Sequence, residues 1–269
     1  TYGNAIGSPA PPRFIPDVTL NAVGSVNVST TTGPTVSAGT YTLSGMGAGA
    51  YTVTPSKVGG VTPLLGSTIT SFDSSQIAQH VVLLITLNPT QIQVGDVSGT
   101  GGLTSFDAAL IARWVASLPG SGNTGSWVFN PTSRSYPNVN TDQVSQDYSA
   151  LLMGDVSGNY VQSPGTPRPA PVDDPTALVA SAPTLTSQSG TALTVPISVG
   201  DTTGRGIVAY QFALEYDPDV LEPQAEPVDL TGSLSAGYTA TVNATERGRL
   251  VVVVYGTQPL EGAGSLLSL

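Results

Sequence analysis

The chain has 269 residues, of which 31 are glycine and 22 proline, with 10% charged residues and a formal net charge of −10. Ordinary soluble domains carry about 25% charged residues, so neutral polar groups must cover most of this surface. Eight Lys and Arg stand against eighteen Asp and Glu, and Lys57 is the single lysine. Such a chain offers no basic footprint for a phosphate backbone, which argues against a nucleic-acid partner.

No apolar run reaches the roughly 18 to 20 residues that cross a bilayer, so a membrane span is not expected. Cysteine is absent, which removes disulfides and thiolate metal sites. His80 is the one histidine, so any catalytic scheme or zinc site needing two is excluded. Beside Val81 and Val82 it reads as a helix-surface residue rather than a base. No charged and apolar leader opens the chain, which reads as a start after processing. Length alone predicts two or three domains.

Residues 14–57 read as β. Val18, Leu20, Val26, Val28, Val36, Tyr41, Leu43, Tyr51 and Val53 fall largely at alternating positions between turns rich in Gly, Ser, Thr and Pro. Tyr41–Ser44, the turn Gly45–Ala50 and Tyr51–Pro55 form a predicted hairpin. These phrases resemble the carboxypeptidase-regulatory-like, or prealbumin-like, β-sandwich repeats of bacterial surface proteins. The resemblance covers residues 1–58, with a first strand that is short or supplied from elsewhere.

The middle of the chain changes period. Ile77, Val81 and Leu84 in Asp73–Leu84, and Leu110, Ile111, Trp114, Val115 and Leu118 in Asp107–Leu118, predict two short amphipathic helices. Both follow nearly the same words, Ile69-Thr70-Ser71-Phe72-Asp73 and Leu103-Thr104-Ser105-Phe106-Asp107. A second phrase also recurs, Gly95-Asp96-Val97-Ser98-Gly99-Thr100 and Gly154-Asp155-Val156-Ser157-Gly158-Asn159. From Asp96 to Asp107 oxygen donors stand at positions 1, 3, 5, 9 and 12 of a twelve-residue loop: Asp96, Ser98, Thr100, Thr104 and Asp107. Gly101 stands at the sharp turn, and the Gly102 carbonyl is available at position 7, the layout of an EF-hand-type calcium loop. The competing reading is a metal-free Gly/Ser turn with Asp107 as a helix cap. With its following helix the segment resembles a dockerin repeat, in which Asp closes the loop; Ser98 and Thr100 depart from the Asn or Asp usual there.

The remaining phrases are permuted. Asp73 closes a loop whose upstream stretch, 62–67, holds no acid, and Asp155, Ser157 and Asn159 open a loop with no closing acid. With the opening phrase called head, and the closing phrase and its helix tail, the order is tail, head-tail, head. Counting phrases, Asp155, Ser157 and Asn159 complete a second calcium site with Asp73. Residues 59–162 are thus read as one circularly permuted dockerin-like module binding one or two Ca2+ ions. The stretch 119–144, with Trp127, Phe129 and Tyr136, either covers the helix pair or forms a carbohydrate platform; Gln143–Met153 is predicted as a third short helix.

Residues 163–176 alternate proline with small residues and read as a semi-rigid linker. Beyond it strands are predicted at 193–199, 207–216 and 250–255, with Tyr210, Phe212, Leu214 and Tyr216 on one face. Thr194-Val195-Pro196, the phrase Phe212–Leu221 and Leu260–Leu266 resemble a cohesin domain over 177–269, ending short of that family's last strands.

The expected fold class is mainly β with a small α module: two β-sandwiches flanking a dockerin-like EF-hand-type helical module. No catalytic constellation stands out. Asp173 and Asp174 lie in the linker, and Asp217 and Asp219 in a strand-end turn. Together the resemblances imply a non-catalytic, extracellular or cell-surface structural protein, a calcium-stabilised subunit of a filament or matrix. The alternative is a scaffolding module of a polysaccharide-degrading complex. Expected partners are other copies of the chain or related surface proteins, joined by strand sharing between incomplete sandwiches or by cohesin–dockerin-like contacts, with glycans as a further class. Asn27-Val28-Ser29 and Asn243-Ala244-Thr245 are glycosylation acceptor sequences.

Overall fold

The computed structural model describes residues 1–7, 12–33, 39–63, 68–161 and 178–269. The first strands and helices are β1 (Thr19–Gly24), β2 (Val28–Thr31), β3 (Gly49–Ser56), α1 (Ser71–Val81), α2 (Pro89–Gly95) and α3 (Ser105–Val115). Then follow β4 (Trp127–Asn130), β5 (Arg134–Val139), β6 (Ser149–Leu152), β7 (Ala180–Ser181), β8 (Pro196–Val199), β9 (Ala209–Glu215), β10 (Thr239–Asn243), β11 (Arg249–Tyr255) and β12 (Gly264–Ser268). The described residues are mainly β, with three short helices among them. Contacts divide the chain into two units. The first is Thr1–Thr62, Asn88–Gly102 and Gly122–Pro167; the second is Pro63–Leu87, Leu103–Ser121 and Arg168–Leu269. Residues 59–162 are therefore distributed over both units. The proline-rich stretch 163–176, Val36 and most of 62–67 lie outside the described residues.

In the first unit, an antiparallel sheet runs in the order β2-β1-β3-β5. Strand β3 alternates as its sequence predicts: Tyr51, Val53 and Pro55 are buried, while Thr52, Thr54 and Ser56 face solvent. Opposite them, β1 buries Leu20 and Ala22. The predicted hairpin partner does not form, because Tyr41–Ser44 is not a strand. The two edges of β3 are taken by β1 and by β5, which sets Tyr136 opposite Tyr51. Two longer-range ladders thus displace the local turn, and Tyr41 instead donates its hydroxyl to the Gln146 carbonyl.

The stretch 119–144, expected to cover the helix pair or form a carbohydrate platform, holds two strands. It supplies β5 to this sheet, and β4 pairs with β6. Trp127 belongs to the first unit, whereas α1 and α3 belong to the second. Its ring meets Tyr2 and Tyr160 edge-on, at centroid distances of 6.3 and 5.1 Å, and its indole N–H donates to the Gly59 carbonyl at 2.9 Å. The Lys57 ammonium lies 5.8 Å over the same ring. The helix predicted over Gln143–Met153 is also absent; Ser149–Leu152 is β6, with Ala150, Leu151 and Leu152 buried. A four-residue apolar run is too short for periodicity to tell strand from helix, and pairing with β4 decides it.

Helix α2 carries signals that hydrophobic periodicity does not weigh: Asn88 as cap, Pro89 in the first turn and Gln91 reaching back to close a capping box. Gln91 also donates to the Val156 carbonyl, and Gly154 N–H to the Val94 carbonyl, which fixes the helix beside the second head phrase.

In the second unit, the sheets β10-β11-β9 and β12-β8-β7 face each other. Ile197, Leu250, Val252, Val254, Leu260, Leu266 and Leu267 form the core between them. Tyr210, Phe212 and Tyr216 pack against that core as expected, while Leu214 remains 37% exposed. Helices α1 and α3 pack on each other and on the β10-β11-β9 sheet. Ile77 is buried as predicted, but Val81 and Leu84 are exposed, because α1 ends at Val81 and Leu83 adopts a positive φ of 63°. His80, in the last turn of α1, receives the Leu87 N–H on its Nδ1 at 3.3 Å.

Candidate functional site

The repeated tail phrase specifies the same helix start twice. Thr70 and Thr104 cap α1 and α3, and each forms a capping box with the Asp three residues on. Asp73 Oδ2 accepts from Thr70 N–H and Oγ1–H at 2.8 and 3.3 Å; Asp107 Oδ2 accepts from Thr104 N–H and Oγ1–H, both at 2.9 Å. Both carboxylates are fully buried.

The repeated head phrase likewise folds the same way twice, within the first unit. Asp96 Oδ1 accepts from Ser98 Oγ at 3.2 Å and Thr100 N–H at 3.0 Å, and its Oδ2 from Gly101 N–H at 2.8 Å. Asp155 Oδ1 accepts from Ser157 Oγ at 3.1 Å and Asn159 N–H at 3.2 Å, and its Oδ2 from Tyr160 N–H at 3.1 Å. Val97 and Val156 are buried, and Gly99 and Gly158 sit at φ of 73° and 65°. A side chain at Gly158 would also meet the Asn4 carbonyl at 2.0 Å, so both conformation and space require glycine there. Asp155 differs in one respect. It is fully buried, Tyr2 donates its hydroxyl to Oδ2 at 2.5 Å, and burial raises its pKa against the opposing pull of these hydrogen bonds.

Of the ten predicted ligands, Asp96, Ser98, Thr100, Gly102, Asp155, Ser157 and Asn159 lie in the first unit, and Asp73, Thr104 and Asp107 in the second. Within the units the residues converge as Asp96–Ser98–Thr100, Asp155–Ser157–Asn159 and Thr104–Asp107. Among the described residues, no three His, Cys, Asp or Glu side chains cluster as a metal site would require of those types alone. Calcium here would depend equally on hydroxyl, carboxamide and carbonyl oxygens, which suit a hard cation.

A second constellation is built in the second unit. Strand β11 reads Arg249-Leu-Val-Val-Val-Val-Tyr255, and every residue from Leu250 to Tyr255 is buried. Leu250, Val252 and Val254 point to the sandwich core, so Val251, Val253 and Tyr255 occupy the other face. Register places Gln211 and Thr241 beside Val253, and Ala213 and Asn243 beside Val251. Helices α1 and α3 cover this face. On α1, Ser71, Ser75 and Gln79 form a stripe at i, i+4 and i+8. Ser71 N–H donates to Gln211 Oε1 at 2.9 Å, Ser75 Oγ to the Gly256 carbonyl at 2.7 Å, and Gln79 Nε2 to the Thr257 carbonyl at 3.1 Å. On α3, the Ala116 carbonyl at the C-cap accepts from Asn243 Nδ2 at 2.6 Å.

The strands beneath that stripe lie in a segment with a recognisable relative. Residues 178–269 match the cohesin domain family. Cohesin domains are non-catalytic scaffolding modules that bind dockerins of partner proteins. No curated protein and no solved structure matches the chain. Among the described residues, no helix is long and apolar enough to cross a membrane.

Hydrophobic periodicity finds the helices but not their docking stripe, because Ser71, Ser75 and Gln79 are polar. Two signals point to it. One is the unbroken run Leu250–Tyr255, which marks a strand buried on both faces rather than one. The other is the polar spacing on α1: of the α3 counterparts, Ser105 repeats Ser71, whose contact is made by its backbone N–H, whereas Ala109 has no hydroxyl in place of Ser75 and Arg113 replaces Gln79.

Proposed function

We propose that this chain is a non-catalytic assembly protein of the cell exterior, whose cohesin-like sheet receives a dockerin-like helix pair, its own or that of another copy. The observation that carries this reading is the Ser71–Ser75–Gln79 stripe seated on β9 and the 256–257 turn. A surface that fits the chain's own helices equally fits those of an identical chain. Because helix pair and sheet are different surfaces, exchange between copies is head to tail and propagates as an open filament. Calcium would be held within the first unit by the two head phrases, Asp96–Ser98–Thr100 and Asp155–Ser157–Asn159. The buried, charge-costly Asp155 and the hydroxyl-rich donor sets fit a hard cation.

Complementation tests the exchange. Ser75→Arg blocks the helix stripe and leaves the sheet open; Gln211→Arg blocks the sheet and leaves the helices open. Mixed, the two variants should form a discrete one-to-one dimer by light scattering, while neither associates alone. A mixture that stays monomeric rejects assembly between copies. The cohesin match also favours a second reading, in which the sheet recruits dockerin-bearing enzymes to a polysaccharide-degrading complex. The Ser75→Arg chain would then capture such an enzyme more tightly than the unaltered chain does.

A further inference from the structure

The two acceptor sequences, identical in type, occupy opposite environments. Asn27 lies in the turn between β1 and β2, and Ser29 follows on β2, the edge strand of its sheet. Both side chains are exposed. Asn27 immediately precedes β2, and Ser29 is the second residue of that strand. Asn27 Oδ1 accepts from Gly24 N–H at 3.2 Å, which orients the carboxamide and leaves its Nδ2 directed away from that bond. Asn243 is half-buried on the face of β10 that α3 covers. Its Nδ2 donates to the Ala116 carbonyl at 2.6 Å, and its Oδ1 accepts from Thr245 N–H at 3.0 Å and Thr245 Oγ1 at 2.7 Å. The nitrogen that a glycan would occupy is the one that ties the sheet to the helix pair.

We propose that Asn27 is the N-glycan attachment site of this protein and that Asn243 is masked by helix docking. The donor class is an oligosaccharide diphospholipid acted on by a separate transferase. Asn27 Nδ2 bonds to the anomeric carbon as the anomeric C–O bond breaks. The lipid diphosphate leaves with the electron pair, and one Nδ2 proton passes to a base of the transferase. A glycan attached to Asn243 before folding would remove a donor from the Ala116 contact and place a bulky group under α3, so folded, docked chains carry none there. Asn27 adjoins β2, an edge strand of its sheet among the described residues, and a glycan there also blocks edge-to-edge strand pairing at β2.

The inference rests on the proposed exterior location, and the experiment separates the two. Native protein is recovered from surface and interior fractions, and its tryptic peptides are read by mass spectrometry. The expected result is a hexose-containing mass increment on Asn27, none on Asn243, loss of the increment in Ser29→Ala and its retention in Ser29→Thr. Ser29→Ala keeps the Asn27–Gly24 bond, so misfolding does not imitate the loss. Surface protein with bare Asn27, or any chain with a glycan on Asn243, overturns the inference and leaves the location standing. Bare protein confined to the interior overturns both.

Discussion

Strands β3 and β11 are each the inner strand of an antiparallel sheet, yet one buries a single face and the other both. In β3, threonines alternate with Tyr51 and Val53, and the sheet presents hydroxyls to water. In β11, four consecutive valines leave no polar face, and the surface opposite the sandwich core is closed by α1 and α3. A half-buried strand needs only a facing layer. A strand apolar on both sides exposes a hydrophobic patch unless another element lies on it, and such patches are where partners bind. The contact between helix pair and sheet is thus demanded by β11 as much as by the helices.

Charge substitution should separate the two strands most clearly. Val253→Asp puts an unpaired carboxylate under the helices and should cost roughly 4 kcal/mol or more, whereas Thr52→Asp on β3 should stay within about 0.5 kcal/mol. Thermal unfolding of both variants decides it; equal effects would mean that the helices do not seal β11. Calcium comes next. At free calcium a hundredfold above its dissociation constant, each ion should add about 2.7 kcal/mol to stability, so a chelator should lower the melting temperature and Asp96→Ala should lower the bound-ion count by one. An unchanged count in metal analysis would leave the head phrases as metal-free turns.

Trp127→Ala removes a half-buried ring with two edge-on partners and should cost roughly 2 to 3 kcal/mol. With Trp114 then the remaining tryptophan, its fluorescence reports the second unit, whose transition should shift far less than the first unit's. Ser75→Ala deletes one hydrogen bond to the Gly256 carbonyl, at about 1 kcal/mol, and Ala109 marks the corresponding α3 position, where Ala109→Gly tests helix propensity alone at a similar size. Only the first should also weaken association between copies.

The last difference is silent at neutral pH and emerges in alkali. Burial pushes Tyr148 and Tyr160 of the first unit up to about 12, and Tyr210 of the second up to about 12 as well. Between pH 10 and 12 the unfolded chain releases phenolic protons that the folded chain keeps, so stability falls as pH rises through that window. Burial also raises Tyr41 and Tyr136 in the first unit and Tyr238 and Tyr255 in the second; with four such groups against three, the first unit should unfold at the slightly lower pH, followed by Trp127 emission. Simultaneous loss of both tryptophan signals would contradict this.

The alternation of β3 and, to within two residues, the starts of α1 and α3 were legible in the residues, because they depend on short-range rules. Thr70 and Thr104 cap their helices by reaching three residues ahead, and alternation in Tyr51–Pro55 fixes which face of β3 is buried. The repeated Asp-Val-Ser-Gly words, read as the heads of two calcium loops, fold as two equal turns, since the Asp carboxylate, the Ser hydroxyl and a positive-φ glycine all act within five residues. The cohesin resemblance over the last third of the chain was legible for the same reason, as a set of local phrases.

Only the tertiary structure decided what each element lies against. Nothing local in Arg134–Val139 says that it will pair with β3 in place of Tyr41–Ser44. Nothing local in Gln143–Met153 distinguishes a short helix from β6. Nor does the polar spacing of Ser71, Ser75 and Gln79 say which surface that stripe will meet. Those choices are made by competition between distant partners for the same edge or face, and the free energy that settles them belongs to the pair, not to either sequence. Asn27 and Asn243 show the same division in miniature: the acceptor words match in type, and only the helix resting on one of them makes the two asparagines different.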